Sequence, residues 1–294
     1  MSNAVMRWVC RGLIDSKVKK MGLRKASINT QDGRWVYFHG GQGPNLVLVH
    51  GFGANKENWL ALAPKLMKKF TVWIPDLIGF GESDRPEGAP YNIAAQAARL
   101  QRWAVAVGMT DFHVMGNSMG GYLAGVLAAN DQGVPVVNSA CLLNPAGVKG
   151  SEQTAVGKAF AEENRVVLAP GNLSEFQWVM NLCFNGAAPP MPLFLQKYFA
   201  GIAIANKALQ DRVFREFVNP ETNPSLNDLV AQIRIPLMVV WGDSDQLVHA
   251  SGLAILKQAN PRLVDVMLEN TGHCPQADRA RAVAGAYEAF LAGV

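Results

Sequence analysis

The sequence lacks any apolar run approaching the roughly 18 residues needed to cross a bilayer. Its first residues also lack the continuous apolar core of a secretory signal. Both absences point to a soluble chain in the cytoplasm. Cysteine is scarce as well: four residues, at 10, 141, 183 and 274, show no C-x-x-C spacing in a chain too large to need disulfide staples. They read as free thiols in a reducing compartment. No internal repeat or low-complexity tract is present, and no nucleic-acid partner is expected. What is present is ample apolar material: 49% of 294 residues are hydrophobic, enough for two average domains or one large α/β domain carrying an insertion.

The net charge of +4 is small but uneven. Seven basic residues through Lys25, set against Asp15, put +6 in the first 25 residues and −2 in the rest. Ala4 to Val18 interleaves these cations with Val5, Met6, Trp8, Val9, Leu13 and Ile14. That composition fits an amphipathic helix on the inner membrane surface, and equally a helix packed on the body with a solvated basic face.

The stretch that organises the rest is Phe112 to Asn130. An apolar run ending in Val114 and Met115 reads as a buried strand, and Tyr122 to Ala129 as a helix. Between them lies Gly116-Asn117-Ser118-Met119-Gly120, a G-x-S-x-G. A strand turning straight into a helix forces its central residue towards positive φ, and Gly116 and Gly120 remove side chains that would collide there. The Ser118 hydroxyl is thereby raised at a helix N-terminus, where developing negative charge is favoured.

Around this elbow, strands and helices alternate. Lys25 to Asn29 and Arg34 to Phe38 read as an antiparallel pair about Asp32-Gly33. Asn45 to Val49 reads as a central strand, Trp59 to Lys69 as a helix, Phe70 to Ile74 as a strand and Ile93 to Val107 as a helix. Asn138 to Asn144 is the next strand. Alternation then stops until Ile235 to Trp241, followed by a helix over Leu253 to Ala259, a strand over Leu263 to Leu268 and a terminal helix from about Asp278 to Leu291. The interruption is rich in aromatics and Met, and a Pro and Gly cluster at Asn185 to Pro192 breaks it into helical pieces. The expected fold is α/β: a mostly parallel central sheet with helices on both faces and an inserted helical cap. The divisions are a basic N-terminal helical segment over 1–27, the core over 28–146 and 231–294, and the cap or lid over 147–230.

A serine needs a base, and the base an orienting carboxylate. Of five histidines, His39 and His113 belong to strands, His50 to the loop after Val49, and His249 to the loop after Asp245. His273 sits in a Gly-flanked loop at the carboxyl end of the last strand, where parallel sheets collect their sites, and is the expected base. For the acid, Asp243 and Asp245 remain alternatives. Asp76, also at a strand end, reads as a carboxylate capping N–H groups of its own tight loop. The glycine-rich loop His50-Gly51-Phe52-Gly53 can bring an oxyanion donor beside the serine, so the backbone N–H groups of Phe52 and Met119 are the expected pair.

The chain resembles an α/β-hydrolase of the lipase and esterase type from Gln31 onward. HGFG at 50–53, DLIGFGESD at 76–84, GNSMGG at 116–121, WGDSDQLV at 241–248 and GHCP at 272–275 carry the likeness. The resemblance implies that Asp245 is the acid. LLNPAGV at 142–148, FQWVMNLCF at 176–184 and WGDSDQLVHASGLAIL at 241–256 look like monoacylglycerol lipases and related bacterial lipases with a membrane-facing N-terminal segment. The implied activity is hydrolysis of monoacylglycerol or other short- and medium-chain acyl esters, without metal or organic cofactor, on a small-molecule or lipid substrate. GNSMGG also looks like the elbow of carbon-carbon bond hydrolases of ring-cleavage dienoates. Those enzymes resemble one another in a Gly-Pro-Gly oxyanion loop and a Trp after the histidine, where this chain has Phe52-Gly53-Ala54 and Cys274. A non-catalytic ligand binder on the same fold is the remaining alternative.

Overall fold

The computed structural model describes residues 3–130, 133–185, 188 and 190–293. Its elements in chain order are α1 (Asn3–Lys20), β1 (Arg24–Thr30), β2 (Gly33–Gly41), β3 (Asn45–Val49), a 3-10 turn (Lys56–Trp59), α2 (Ala63–Leu66), β4 (Thr71–Pro75), α3 (Ile93–Ala106), β5 (Asp111–Asn117), α4 (Met119–Ala129) and β6 (Val136–Leu143). Five helices follow: α5 (Ala155–Glu163), α6 (Leu173–Cys183), α7 (Leu193–Ala205), α8 (Lys207–Val218) and α9 (Leu226–Gln232). The chain then closes with β7 (Leu237–Gly242), α10 (Gly252–Ala259), β8 (Val264–Leu268), α11 (Pro275–Asp278) and α12 (Ala280–Ala292). Of the Pro and Gly cluster, residues 186, 187 and 189 lie outside the described residues.

The eight strands form one sheet in the order β1-β2-β4-β3-β5-β6-β7-β8, in which β2 runs against both its neighbours and the other pairs are parallel. Apolar strands buried on both faces explain the continuous hydrophobic runs. Along β3, Val47 and Val49 join the core beneath α3 and α4, while Leu46 and Leu48 join the one beneath α1 and α12. Val239 and Trp241 of β7 likewise face the first core, and Met238 and Val240 the second. From β3 the chain crosses to β4 on one side and later to β5 on the other. The carboxyl ends of β3 and β5 therefore flank a topological switch point, the crevice where such sheets bind ligands.

Two expectations need correction. The helix expected over Trp59 to Lys69 is a 3-10 turn and a single turn of α-helix, because the Pro64 ring would clash with the carbonyl four residues back and so must stand in a helix's first turn. The boundary of the N-terminal helical segment at 27 falls inside β1, which begins at Arg24; of the two forms expected for the helix, packing on the body is the one seen, with Cys10, Ile14 and Val18 of α1 buried in the second core. Trp8 and Leu13 point away from that face, Trp8 being 79% exposed. The side chains of Val5 and Met6 lie outside the described residues.

Beneath α1 lies a cluster of charges that sequence does not announce. Lys56 and Asp76 are fully buried, with the ammonium 2.7 Å from the carboxylate. Asp76 also accepts the backbone N–H groups of Lys56 and Glu82. It caps its own loop, as expected, and in addition ties that loop to one twenty residues earlier. Arg11 of α1 reaches Glu57 at 2.9 Å and Glu82 at 3.0 Å, pinning the helix to the cluster. Burial disfavours the Lys56 charge, but Asp76, Glu57 and Glu82 together outweigh it and raise its pKa. A group raised on folding contributes its stability throughout the pH range below its unfolded value, so the cluster is fully effective at neutral pH. Lys56→Met leaves the Asp76 and Glu57 carboxylates buried without their cation. It is expected to cost about 3–5 kcal/mol, read as a lowered urea midpoint at unchanged slope.

Candidate active site

Ser118 is the single residue between β5 and α4, at φ 56° and ψ −118°. A non-glycine residue held in that region is strained, and the surroundings must over-determine it. Its N–H donates to Leu143 O of β6, and its carbonyl accepts from Tyr122 and Ala146. The flanking glycines are required by close backbone approach. A Cβ on Gly116 would lie 2.0 Å from Gly120 O, and one on Gly120 would lie 2.2 Å from Val49 O. Ser118 is half-buried, between a buried Asn117 and a buried Met119.

The loop after β3 passes directly beside this elbow: a Cβ on Gly51 would lie 3.1 Å from Ser118 Cβ. His50 holds the loop in place. Its Nδ1–H donates to Gly51 O at 2.8 Å, and its Nε2 accepts from Leu77 N at 3.1 Å. Burial pulls its pKa down to about 4, so the ring stays neutral and keeps this tautomer. Neither the Phe52 nor the Met119 N–H donates to a protein acceptor among the described residues. Met119 opens α4, where the first N–H groups have no partner within the helix. The Phe52 side chain, expected to carry no information, packs on Phe214 and Phe217 of α8, with ring centroids 5.3 and 5.9 Å away.

Asp245 follows β7 and His273 follows β8, and the two meet beyond the carboxyl ends of these neighbouring strands. Asp245 Oδ2 lies 2.8 Å from His273 Nδ1, and both residues are buried. Burial alone would lower the His273 pKa, but the charge and hydrogen bond of Asp245 more than offset it, and the pKa is raised above its ordinary 6.5. The carboxylate is fully engaged: Oδ1 accepts from Leu247 N and Val248 N, and Oδ2 also accepts from Asn144 Nδ2 at 2.7 Å. Asp243, the alternative, is exposed and accepts from Ser244 Oγ and Thr271 N, so it shapes the turn before His273 without touching the ring. The other histidines lie apart. His39 stacks on Trp73, His113 is bonded to Ser139, and His249 to Ser251.

Among the described residues no hydrogen bond joins the Ser118 hydroxyl to His273. The two are linked by Asn117, whose Nδ2 donates to His273 O at 2.9 Å and whose Oδ1 accepts from Gln276. Sequence reasoning missed Asn117, Gln276 and Asn144. Asn117 was visible only as the variable position of the motif. Asn144 had a stronger signal, a polar residue closing an apolar strand at the sheet edge that collects the other groups. Asn144→Ala removes a hydrogen bond to a charged group, worth about 1.5–3 kcal/mol, and should lower kcat about ten- to a hundredfold with little change in KM.

A family model described as alpha/beta hydrolase fold matches residues 44–280. The chain is 31% identical over 292 residues to Lipase 1 of Psychrobacter immobilis, covering 98% of this chain and 90% of that protein. It is 26% identical over 287 residues to Monoacylglycerol lipase ABHD6 of Homo sapiens, covering 94% and 84% respectively. Among solved structures it is similar to a membrane phospholipase A, described as a bacterial virulence factor, with a TM-score of 0.90 and 31% identity over 99% of this chain and 92% of that one. An elbow serine at a sheet switch point and a match of this extent have one reading: the chain belongs to the alpha/beta hydrolase fold family.

Proposed function

We propose that the protein cleaves monoacylglycerols or other short- and medium-chain acyl esters by two-step acyl transfer at Ser118. At the coarser level it is a carboxylic ester hydrolase, as its lipase relatives indicate. The observation that carries the finer reading is the buried Asp245–His273 pair on the sheet edge that raises Ser118. His273 Nε2 takes the proton as Ser118 Oγ attacks the ester carbonyl, once the serine rotates towards the ring in the substrate complex. The Phe52 and Met119 N–H groups hold the oxyanion, and Gly116 and Gly120 permit the elbow. His273 then protonates the departing alcohol, and water attacks the acyl-enzyme along the reverse path. No step requires a metal or an organic cofactor.

Residues 147–230 act as the cap over this site. Supporting that role, α6 and α7 leave Trp178, Leu193, Phe194 and Ile204 exposed, an apolar surface suited to acyl chains. The test is turnover of a p-nitrophenyl ester chain-length series. Activity on no chain length would sink the esterase reading, and cleavage of ring-cleavage dienoates in preference to esters would replace it.

No helix among the described residues is long and apolar enough to cross a membrane. We read the exposed face of α1, with Trp8 and Leu13 along it and Lys17, Lys19 and Lys20 in its last turn, as a peripheral contact with anionic lipid at the inner membrane surface. Because α1 is part of the core, charge reversal tests this better than deletion. Co-sedimentation with phosphatidylglycerol vesicles should fall for Lys17→Glu/Lys19→Glu/Lys20→Glu, and unchanged binding would refute the contact.

A further inference from the structure

The four cysteines are free thiols of two kinds. Cys10 and Cys141 are sealed in the apolar core, and burial pushes both thiols up, away from reactivity. Cys183 and Cys274 instead stand together beside His273. Cys183 ends α6 and is half-buried, while Cys274 follows the histidine and is buried. The His273 N–H donates to Cys183 O at 2.9 Å, and Gly272 packs so tightly on that carbonyl that a Cβ would sit 2.7 Å from it. The end of α6 therefore lies on the 272–274 turn, which sets the Cys183 and Cys274 side chains beside each other. The neighbouring Cys274 favours the Cys183 thiolate against burial, with further help from His273, and the Cys274 thiol is itself raised by Cys183 and by burial. Cys183 is thus the partly exposed member that favours its thiolate, and Cys274 is its buried neighbour.

We propose that Cys183 and Cys274 form a redox-responsive modification site whose closure to a disulfide switches off hydrolysis at the adjoining histidine. The oxidant is hydrogen peroxide. The Cys183 thiolate attacks a peroxide oxygen, the O–O bond breaks, and hydroxide leaves and is protonated to water, giving a sulfenic acid. The Cys274 sulfur then attacks the Cys183 sulfur, the S–O bond breaks, and a second water leaves carrying the remaining thiol proton. Two thiols are oxidised by two electrons and one peroxide is reduced to two waters. The new bond imposes its own S–S distance and torsion, which must drag residue 274 relative to α6. His273 lies between the two anchored points, and a displacement on the order of 1 Å at a catalytic group costs about a hundredfold in rate.

The inference rests on ester hydrolysis for its activity readout, and the chemistry has a readout of its own. The full-length protein is treated with hydrogen peroxide, and p-nitrophenyl ester turnover is followed beside thiol titration in denaturant and peptide mass mapping. Titratable thiols should fall from four to two. A linked peptide pair containing 183 and 274 should appear, turnover should drop about a hundredfold, and dithiothreitol should restore both. Cys183→Ser, which keeps the backbone carbonyl that holds His273, should start near full activity and resist peroxide. Cys183→Ala provides the same test if the serine variant folds poorly. Retention of all four thiols, an irreversible loss, or equal inactivation of the Cys183 variants would each overturn the proposal. A protein inactive before treatment would count against the esterase reading, while the thiol count and linked peptides would still decide whether the pair closes.

Discussion

Ser118→Ala should reduce ester turnover by about 10^5-fold or more, to whatever rate the pocket and the remaining oxyanion donors sustain alone, since members of such a triad act as a unit. The fold should survive the change. The strain at φ 56° is imposed by the backbone bonds of residue 118 to Leu143, Tyr122 and Ala146, and none of these involves the hydroxyl. The diagnostic measurement is therefore paired: turnover of a p-nitrophenyl ester against thermal melting and circular dichroism. Lost activity with an unchanged melt assigns the serine as nucleophile. Turnover within tenfold of the parent would remove Ser118 from the chemistry.

Asp245→Asn should lower kcat by about 10^4-fold, the cost of offering an amide where the imidazole needs an acceptor. It should also move the pH profile. In the parent, the carboxylate more than offsets burial and raises the His273 pKa. The base is then protonated, and activity lost, as pH falls through a value above 6.5. With the carboxylate gone, burial outweighs the smaller effect of Cys183 and the acid limb should shift to lower pH. The same linkage has a stability counterpart. A histidine whose pKa is raised on folding stabilises the protein below its unfolded pKa, and that contribution disappears as pH rises through the folded one. Acid-side stability of Asp245→Asn should accordingly fall more than its stability at pH 9. An acid limb that stays in place would show that another group controls the protonation of His273.

What the sequence made legible followed periodicity and punctuation. The alternation of apolar runs with helical stretches located the parallel sheet, because strands buried on both faces have no polar face to confuse the pattern. The elbow was legible because backbone crowding at Gly116 and Gly120 leaves a local signature. Pro64 was the cue misjudged: apolar spacing from Trp59 to Lys69 looks helical, yet a proline in its middle must begin a helix. Asp243 and Asp245 could not be separated by their positions in a loop, since the difference between them is which carboxylate reaches His273. The Lys56, Asp76, Glu57, Glu82 and Arg11 cluster was hidden for the same reason. Its members come from three distant segments, and none announces burial alone: Asp76 reads only as the cap of its own loop, and nothing local to the other four marks a partner.

The docking of α1 bears on how the protein can be handled. A short, basic, N-terminal helix invites removal as a disposable leader. Here it buries Cys10, Ile14 and Val18 in the core cluster that also holds Phe38 and Leu62, and it supplies Arg11 as a second cation to Glu57 and Glu82. Trimming to the first strand would bare a greasy patch and leave Lys56 and Lys25 as the remaining cations for Glu57 and Glu82. Insolubility of such a shortened product would reflect a missing piece of the interior. Purification handles therefore belong at the other end of the chain, and any fusion placed before residue 3 needs a linker long enough to leave α1 seated.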